Sequence, residues 1–103
     1  MVPMKIEGNW FSRQVWVDDQ ELTPERSQKV FNHSPDGFNW GYEGSGPAQL
    51  ALAILLLVTD EQTAVKFHQK FKRDFVAGWP QSHFGGHVEI EGWLKRSQSE
   101  SII

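Results

Sequence analysis

With 103 residues, a formal charge of -3 and no cysteine, the chain has room for one domain around one core. It excludes a disulfide framework, a thiol nucleophile and a thiolate metal site. The acidic balance argues against nucleic acid as a partner, because a basic footprint supplies most sequence-independent affinity for it.

Five tryptophans, seven phenylalanines and one tyrosine are a heavy aromatic load for this size, and tryptophan is rarely buried completely, so some contact-ready aromatic surface is expected. The start, MVPMKIEGNW, lacks a charged lead followed by an apolar run and does not read as a signal peptide. The longest apolar run, Leu50 to Val58, spans about 14 Å as a helix, far short of a bilayer. A cytoplasmic protein with no membrane partner is expected.

From Lys5 to Leu22 the pattern suits strands: Trp10, Phe11, Val15, Trp16 and Val17 are β-favouring types. The polar break Asp18-Asp19-Gln20 predicts a tight hairpin or, lacking glycine, a longer loop. Asp18, Asp19 and Glu21 suggest a cation site less readily than solvated turn residues. Thr23-Pro24-Glu25 reads as a short helix start, with Thr23 as cap and Pro24 at the first helical position.

Asn32-His33-Ser34-Pro35-Asp36-Gly37 predicts a type I turn. Phe38, Trp40 and Tyr42 then alternate with Asn39, Gly41 and Glu43, the period of a half-buried strand. Gly44-Ser45-Gly46-Pro47 is a strand-to-helix junction, with Ser45 or Gly46 as cap and Pro47 at the first helical position. From Ala48 to Val58 only Gln49 is polar, so this helix belongs at the centre of the packing.

Thr59-Asp60-Glu61-Gln62 matches a capping box led by Thr59. Ala64, Phe67, Phe71 and Phe75 recur at helical spacing, and Gly78-Trp79-Pro80 predicts the stop. Gln81 to His87 is expected to be a loop. Val88 to Leu94 fits a helix or a strand, and residues 1–3 and 97–103 are expected to fray.

Four constellations invite chemistry. The glycine loop lacks a lysine for a phosphate, and Glu43 beside it repels anions, so tight helix entry explains it better than anion binding. His33, Ser34, Asp36 and Ser45 include the types of a hydrolytic triad, but G-S-G-P is not a nucleophile elbow. His83 and His87 have a chelating spacing only on a helix, which Gly85 and Gly86 oppose, so no metal or other cofactor is expected. Lys66, Lys70 and Arg73 form a basic stripe on one helix face, with Lys72 nearby and Asp74 the one acid placed to pair with Lys70.

The run NHSPDGFNWGYEGSGPAQLALAILL resembles the signature of a small family of bacterial, archaeal and phage or plasmid proteins that form a domain of unknown function. The match centres on Asn32 to Leu56, with weaker similarity on both sides that includes Trp93-Leu94. The resemblance implies a prokaryotic setting, often on mobile elements, and carries no activity.

Together these features predict an α+β domain: a small antiparallel β-sheet from the N-terminal half packed on a helical hairpin with a central all-apolar helix. The function expected is non-enzymatic binding of a protein partner. The alternative is a small-ligand or nucleotide site built from Asn32, His33, Asp36, Trp40, Tyr42, Gly44, Ser45 and Gly46. A homodimer through exposed aromatics is a further form the contact can take.

Overall fold

The computed structural model describes residues 3–100. The predicted α+β class is the observed one. Strands β1 (Met4–Gly8), β2 (Val15–Val17) and β3 (Gln20–Leu22) are followed by helices α1 (Glu25–Val30), α2 (Ser45–Leu56) and α3 (Glu61–Asp74). A single 3-10 turn (Val76–Gly78), strand β4 (Phe84–Val88) and helix α4 (Ile90–Glu100) complete the chain. The sheet order is β3-β2-β1-β4, with every neighbouring pair antiparallel.

The hairpin between β2 and β3 closes on two residues, Asp18 (φ 49) and Asp19 (φ 69). Left-handed backbone at both central positions is what a tight hairpin of this hand requires, and aspartate tolerates it better than most non-glycine residues. The turn is also tied to β1: Asp18 N–H donates to Lys5 O at 2.8 Å, and Lys5 N–H donates to Asp18 Oδ1 at 3.0 Å.

α2 is buried from Gly46 to Leu56, as a helix without a polar face must be. One apolar cluster joins Ile6, Val15 and Val17 of the sheet to Leu50, Leu52 and Leu55 of α2 and to Ala64, Phe67 and Phe71 of α3. The helical hairpin of α2 and α3 therefore lies on one face of the sheet.

Several local expectations shift. Phe38 to Tyr42 does not enter the sheet. Phe38 and Trp40 are buried and Tyr42 is 40% exposed, so the alternation is real, but the segment is tied to the 3-10 turn and the loop after it. Gly41 N–H donates to Val76 O at 3.0 Å and the Trp40 indole to Ser82 O at 3.1 Å. The fourth strand comes instead from Phe84–Val88, all but Val88 inside the segment expected to be a loop. It pairs with β1 from the far end of the chain, through Ile6 opposite Gly86.

Trp10 and Phe11 lie in a turn rather than a strand. The helix caps move too. α1 is capped at Pro24 without a side-chain bond, and α2 at Gly44, which leaves Pro47 third in the helix, still among the amides that need no intrahelical partner. α3 is capped by Asp60, whose side chain accepts from Thr63 N at 2.8 Å, not by Thr59. Val88 ends β4 and Ile90 opens α4, so both readings of that stretch hold for part of it. α4 runs on to Glu100 with Ser97 buried, over part of the segment expected to fray. Residues 1–2 and 101–103 lie outside the described residues.

Candidate functional site

The turn before α2 is organised from inside that helix. Gln49, 0% exposed, spends its amide on the chain that wraps over it. Its Nε2 donates to Ser27 Oγ at 2.8 Å and to Phe31 O at 3.1 Å. Its Oε1 accepts from His33 N at 2.7 Å and Ser34 N at 3.0 Å. Both ends of the amide are thus satisfied by α1 and the loop that follows it, as a buried polar group requires. The predicted turn follows directly, with Gly37 N donating to Ser34 O at 3.2 Å and Gly37 at φ 103.

The ring of His33 leaves this turn toward α3. Its Nε2 sits 2.8 Å from Nε2 of His68, which is only 4% exposed. His68 Nδ1 lies 2.6 Å from Val65 O, so the proton on that nitrogen points at the carbonyl and Nε2 is left to accept from His33. Phe31 stacks on the other side of His33 with ring centroids 4.3 Å apart. Burial pushes both histidines below their ordinary pKa, and the Lys72 charge pushes in the same direction.

His33 makes its ring hydrogen bond to His68, not to Ser34, Asp36 or Ser45, so the triad types do not assemble around it. Trp40 is wholly buried and Gly46 is packed against Asn39. Asn32, Asp36, Tyr42 and Ser45 stay exposed. A Cβ at Gly44 would fall on the Tyr42 ring, which gives that glycine a steric role.

The basic stripe is partly neutralised. Lys70 pairs with Asp74 at 2.9 Å and lies 5.0 Å from the Trp93 ring, and Lys72 pairs with Glu43 at 3.3 Å. Lys66 lies 5.3 Å from the ring centroid of its neighbour Phe67. Lys66, Lys70 and Arg73 all lie on α3, and for a pair as exposed as Lys70–Asp74 the attraction is small.

A second constellation lies outside the four motifs. Between β1 and β2 the chain turns tightly over residues 9–14. Asn9 Oδ1 accepts from Phe11 N at 3.0 Å and Ser12 N at 3.1 Å, and Asn9 O accepts from Arg13 N at 2.8 Å. Arg13, at φ 61, lays its guanidinium 3.7 Å over the Trp10 ring and donates from Nε to Asn39 Oδ1 at 3.2 Å. Trp10 N–H donates to His83 Nδ1 at 3.0 Å, which occupies one nitrogen of the supposed His83–His87 pair.

This network holds Phe11 at the tip, 86% exposed, with its ring edge-on to His83 at 5.1 Å. Behind it Trp10, Trp40, Phe84 and Trp79 form a continuous aromatic series, Trp79 stacking on Phe84 at 4.4 Å. Two concavities of about 410 and 440 Å³ meet at His83 and Phe84. Asn9 capping a turn in N-W-F-S-R is the signal that could have marked it in the sequence, since asparagine bonding the amides two and three residues on is a turn chemistry of its own.

Among the described residues no group of three or more His, Cys, Asp or Glu side chains is placed to hold a metal ion, and no helix is long and apolar enough to cross a membrane. What the arrangement offers is contact: a rigidly presented aromatic, two clefts and an open sheet edge. The chain belongs to the DUF6166 family, a family of unknown function, whose model matches residues 6–96. No curated protein and no solved structure matches it.

Proposed function

We propose that the protein is a non-enzymatic binding module that engages a protein partner on the side where Phe11, His83 and β4 meet. The observation that carries this reading is the ordered exposure of Phe11. A large apolar side chain left 86% in water is unfavourable to solvate, yet four hydrogen bonds around Asn9 hold the turn that presents it. Ordered aromatics beside a cleft are where interface energy concentrates.

The resemblance of residues 32–56 to proteins of prokaryotes and their mobile elements makes a host protein the partner to look for. A Phe11→Ser variant, compared with the unmodified chain in affinity capture from a bacterial lysate, tests it. The expected result is a stoichiometric protein retained by the unmodified chain and lost with Phe11→Ser at unchanged melting temperature. A small molecule retained in native mass spectrometry, with no protein, would transfer the function to a ligand site among Asn32, Asp36, Tyr42 and Ser45.

A further inference from the structure

β4 is an edge strand, and among the described residues no strand pairs with its outer side. Lys5 exchanges its main-chain bonds with the Asp18 side of the sheet, so the alternation of an antiparallel ladder turns Ile6 toward Gly86. The same alternation leaves the N–H and C=O groups of Gly85 and His87 pointing away from the sheet. Edges of this kind are normally blunted by charged side chains, proline or a bulge. The sequence Phe84-Gly85-Gly86-His87-Val88 has no acidic residue, lysine, arginine or proline, and Gly85, Gly86 and His87 are exposed.

The two faces beside this edge differ in chemistry. Gly86 faces the core side, where a Cβ would meet nothing within 4 Å. The missing side chain opens the cleft of about 410 Å³ over Ile6, between Trp79, Phe84 and Val88. Gly85 faces the other way, opposite Glu7, in the row that continues through Trp16 and Glu21. That outer face is acidic: Glu7 and Asp19 line its concavity, with Lys5 bridging both at 3.7 and 2.6 Å.

We propose that β4 accepts, by strand addition, an extended segment of a partner protein in which apolar and basic side chains alternate. The apolar side chain opposite Gly86 fills the inner cleft, and the basic one opposite Gly85 crosses the bare glycine to Glu7. Main-chain pairing supplies affinity and the alternate pockets supply selectivity. A second copy fits worse. Its β4 carries no lysine or arginine to meet Glu7, and its β3 would set Glu21 against Glu7, a like-charge contact.

This inference rests on the binding role proposed above and names the partner's chemistry. The test uses the full chain, isotopically labelled, titrated with a short blocked peptide of alternating arginine and valine. Two comparison peptides carry glutamate in place of arginine, or the same arginines and valines in two blocks. The expected result is that the alternating basic peptide shifts and protects the Gly85 and His87 amides and binds at least about tenfold more tightly than either comparison.

His87→Pro removes an outward N–H without touching the ladder to β1, which edge strands tolerate, and abolishes binding. If that variant does not fold, Gly86→Leu fills the cleft and abolishes binding instead. Equal binding of all three peptides, binding that survives both variants, or a concentration-dependent dimer that His87→Pro dissolves would each overturn the proposal. Capture of a protein that depends on Phe11 but is indifferent to His87→Pro and Gly86→Leu would overturn strand addition alone and leave the binding role standing.

Discussion

The Nε2 atoms of His33 and His68 lie 2.8 Å apart, joining the turn before α2 to α3 through one shared proton. Since Val65 O takes the Nδ1 proton of His68, protonating His68 would set hydrogens on both facing nitrogens and break the contact. Burial holds both histidines below their ordinary pKa; for His33 the charges of His68 and Lys72 add to this, while for His68 the Val65 and Ala64 carbonyls pull upward and Lys72 downward. The sign follows: the unfolded chain, titrating near about 6.5, takes up protons before the folded one. Stability is complete above that value and is lost as pH falls through the folded-state values. Urea melts between about pH 8 and about pH 5 should show a falling midpoint, ahead of the range where carboxylates titrate. A His68→Phe variant should show a flatter profile, and an unchanged slope in it would refute the assignment.

Gln49 is the polar residue on which the turn depends. Gln49→Leu keeps the volume nearly constant but removes the bonds at 2.7 to 3.1 Å to Ser27 Oγ, Phe31 O, His33 N and Ser34 N, of which His33 N and Phe31 O keep a bond to each other at 3.2 Å. Buried groups stripped of their partners cost about 1–3 kcal/mol each when water cannot replace it. A net loss of roughly 2–4 kcal/mol is expected, comparable to the loss for truncating a buried leucine such as Leu52. Urea denaturation measures the cost. Hydrogen exchange should also speed up at His33 and Ser34 first, which a simple packing defect in α2 would not produce.

The fold was legible where pattern is local. α2 could be placed because from Gly46 to Leu56 no residue but Gln49 has a polar side chain, and the stripe Ala64, Phe67, Phe71 could be placed because it repeats at helical spacing. β4 was not legible, because two glycines erase its side-chain pattern and its reason for being extended is β1, far away in sequence. Phe38 to Tyr42 misled in the opposite direction: its alternation records burial on one side and solvent on the other, which a chain tied to a 3-10 turn and a loop shows as well as a strand does. His68 had a readable signal, since it shares the apolar face of α3 with Ala64 and Phe71. Its partner had none, because no sequence spacing relates His33 to it.

The start of α3 separates two adjacent candidates for the same role. Asp60 accepts from Thr63 N at 2.8 Å and from Thr63 Oγ1 at 3.0 Å, and these bonds hold its carboxyl below the usual range. Asp60→Ala should therefore lower the melting temperature at neutral pH, whereas Thr59→Ala should leave it nearly unchanged. Because the carboxylate form is the one that caps, the difference between the two variants should shrink as pH falls below the range where free aspartate titrates. Thermal melts at neutral and acidic pH check both statements, and an equal loss in the two variants would restore Thr59 as the cap.

Two glycines of the candidate surfaces should respond oppositely to the same substitution. At Gly46, inside α2, alanine would bring up to about 1 kcal/mol of helix propensity. Its Cβ, however, would stand 2.6 Å from Asn39 Cβ and 3.2 Å from Asn39 N, and Asn39 is itself fixed by Arg13 Nε and by the Trp40 amide at 2.9 Å. Overpacking of this kind costs about 1–3 kcal/mol, so the clash outweighs the propensity and Gly46→Ala should destabilise. Gly86 is not at positive φ, and a Cβ there has nothing within 4 Å. Gly86→Ala should then stabilise by about 0.5–1 kcal/mol through the entropy the unfolded chain gives up. Paired melts of the two variants decide the matter: a gain at Gly46 would mean that Asn39 yields, and a loss at Gly86 would mean that β4 needs its bare backbone for folding rather than for binding.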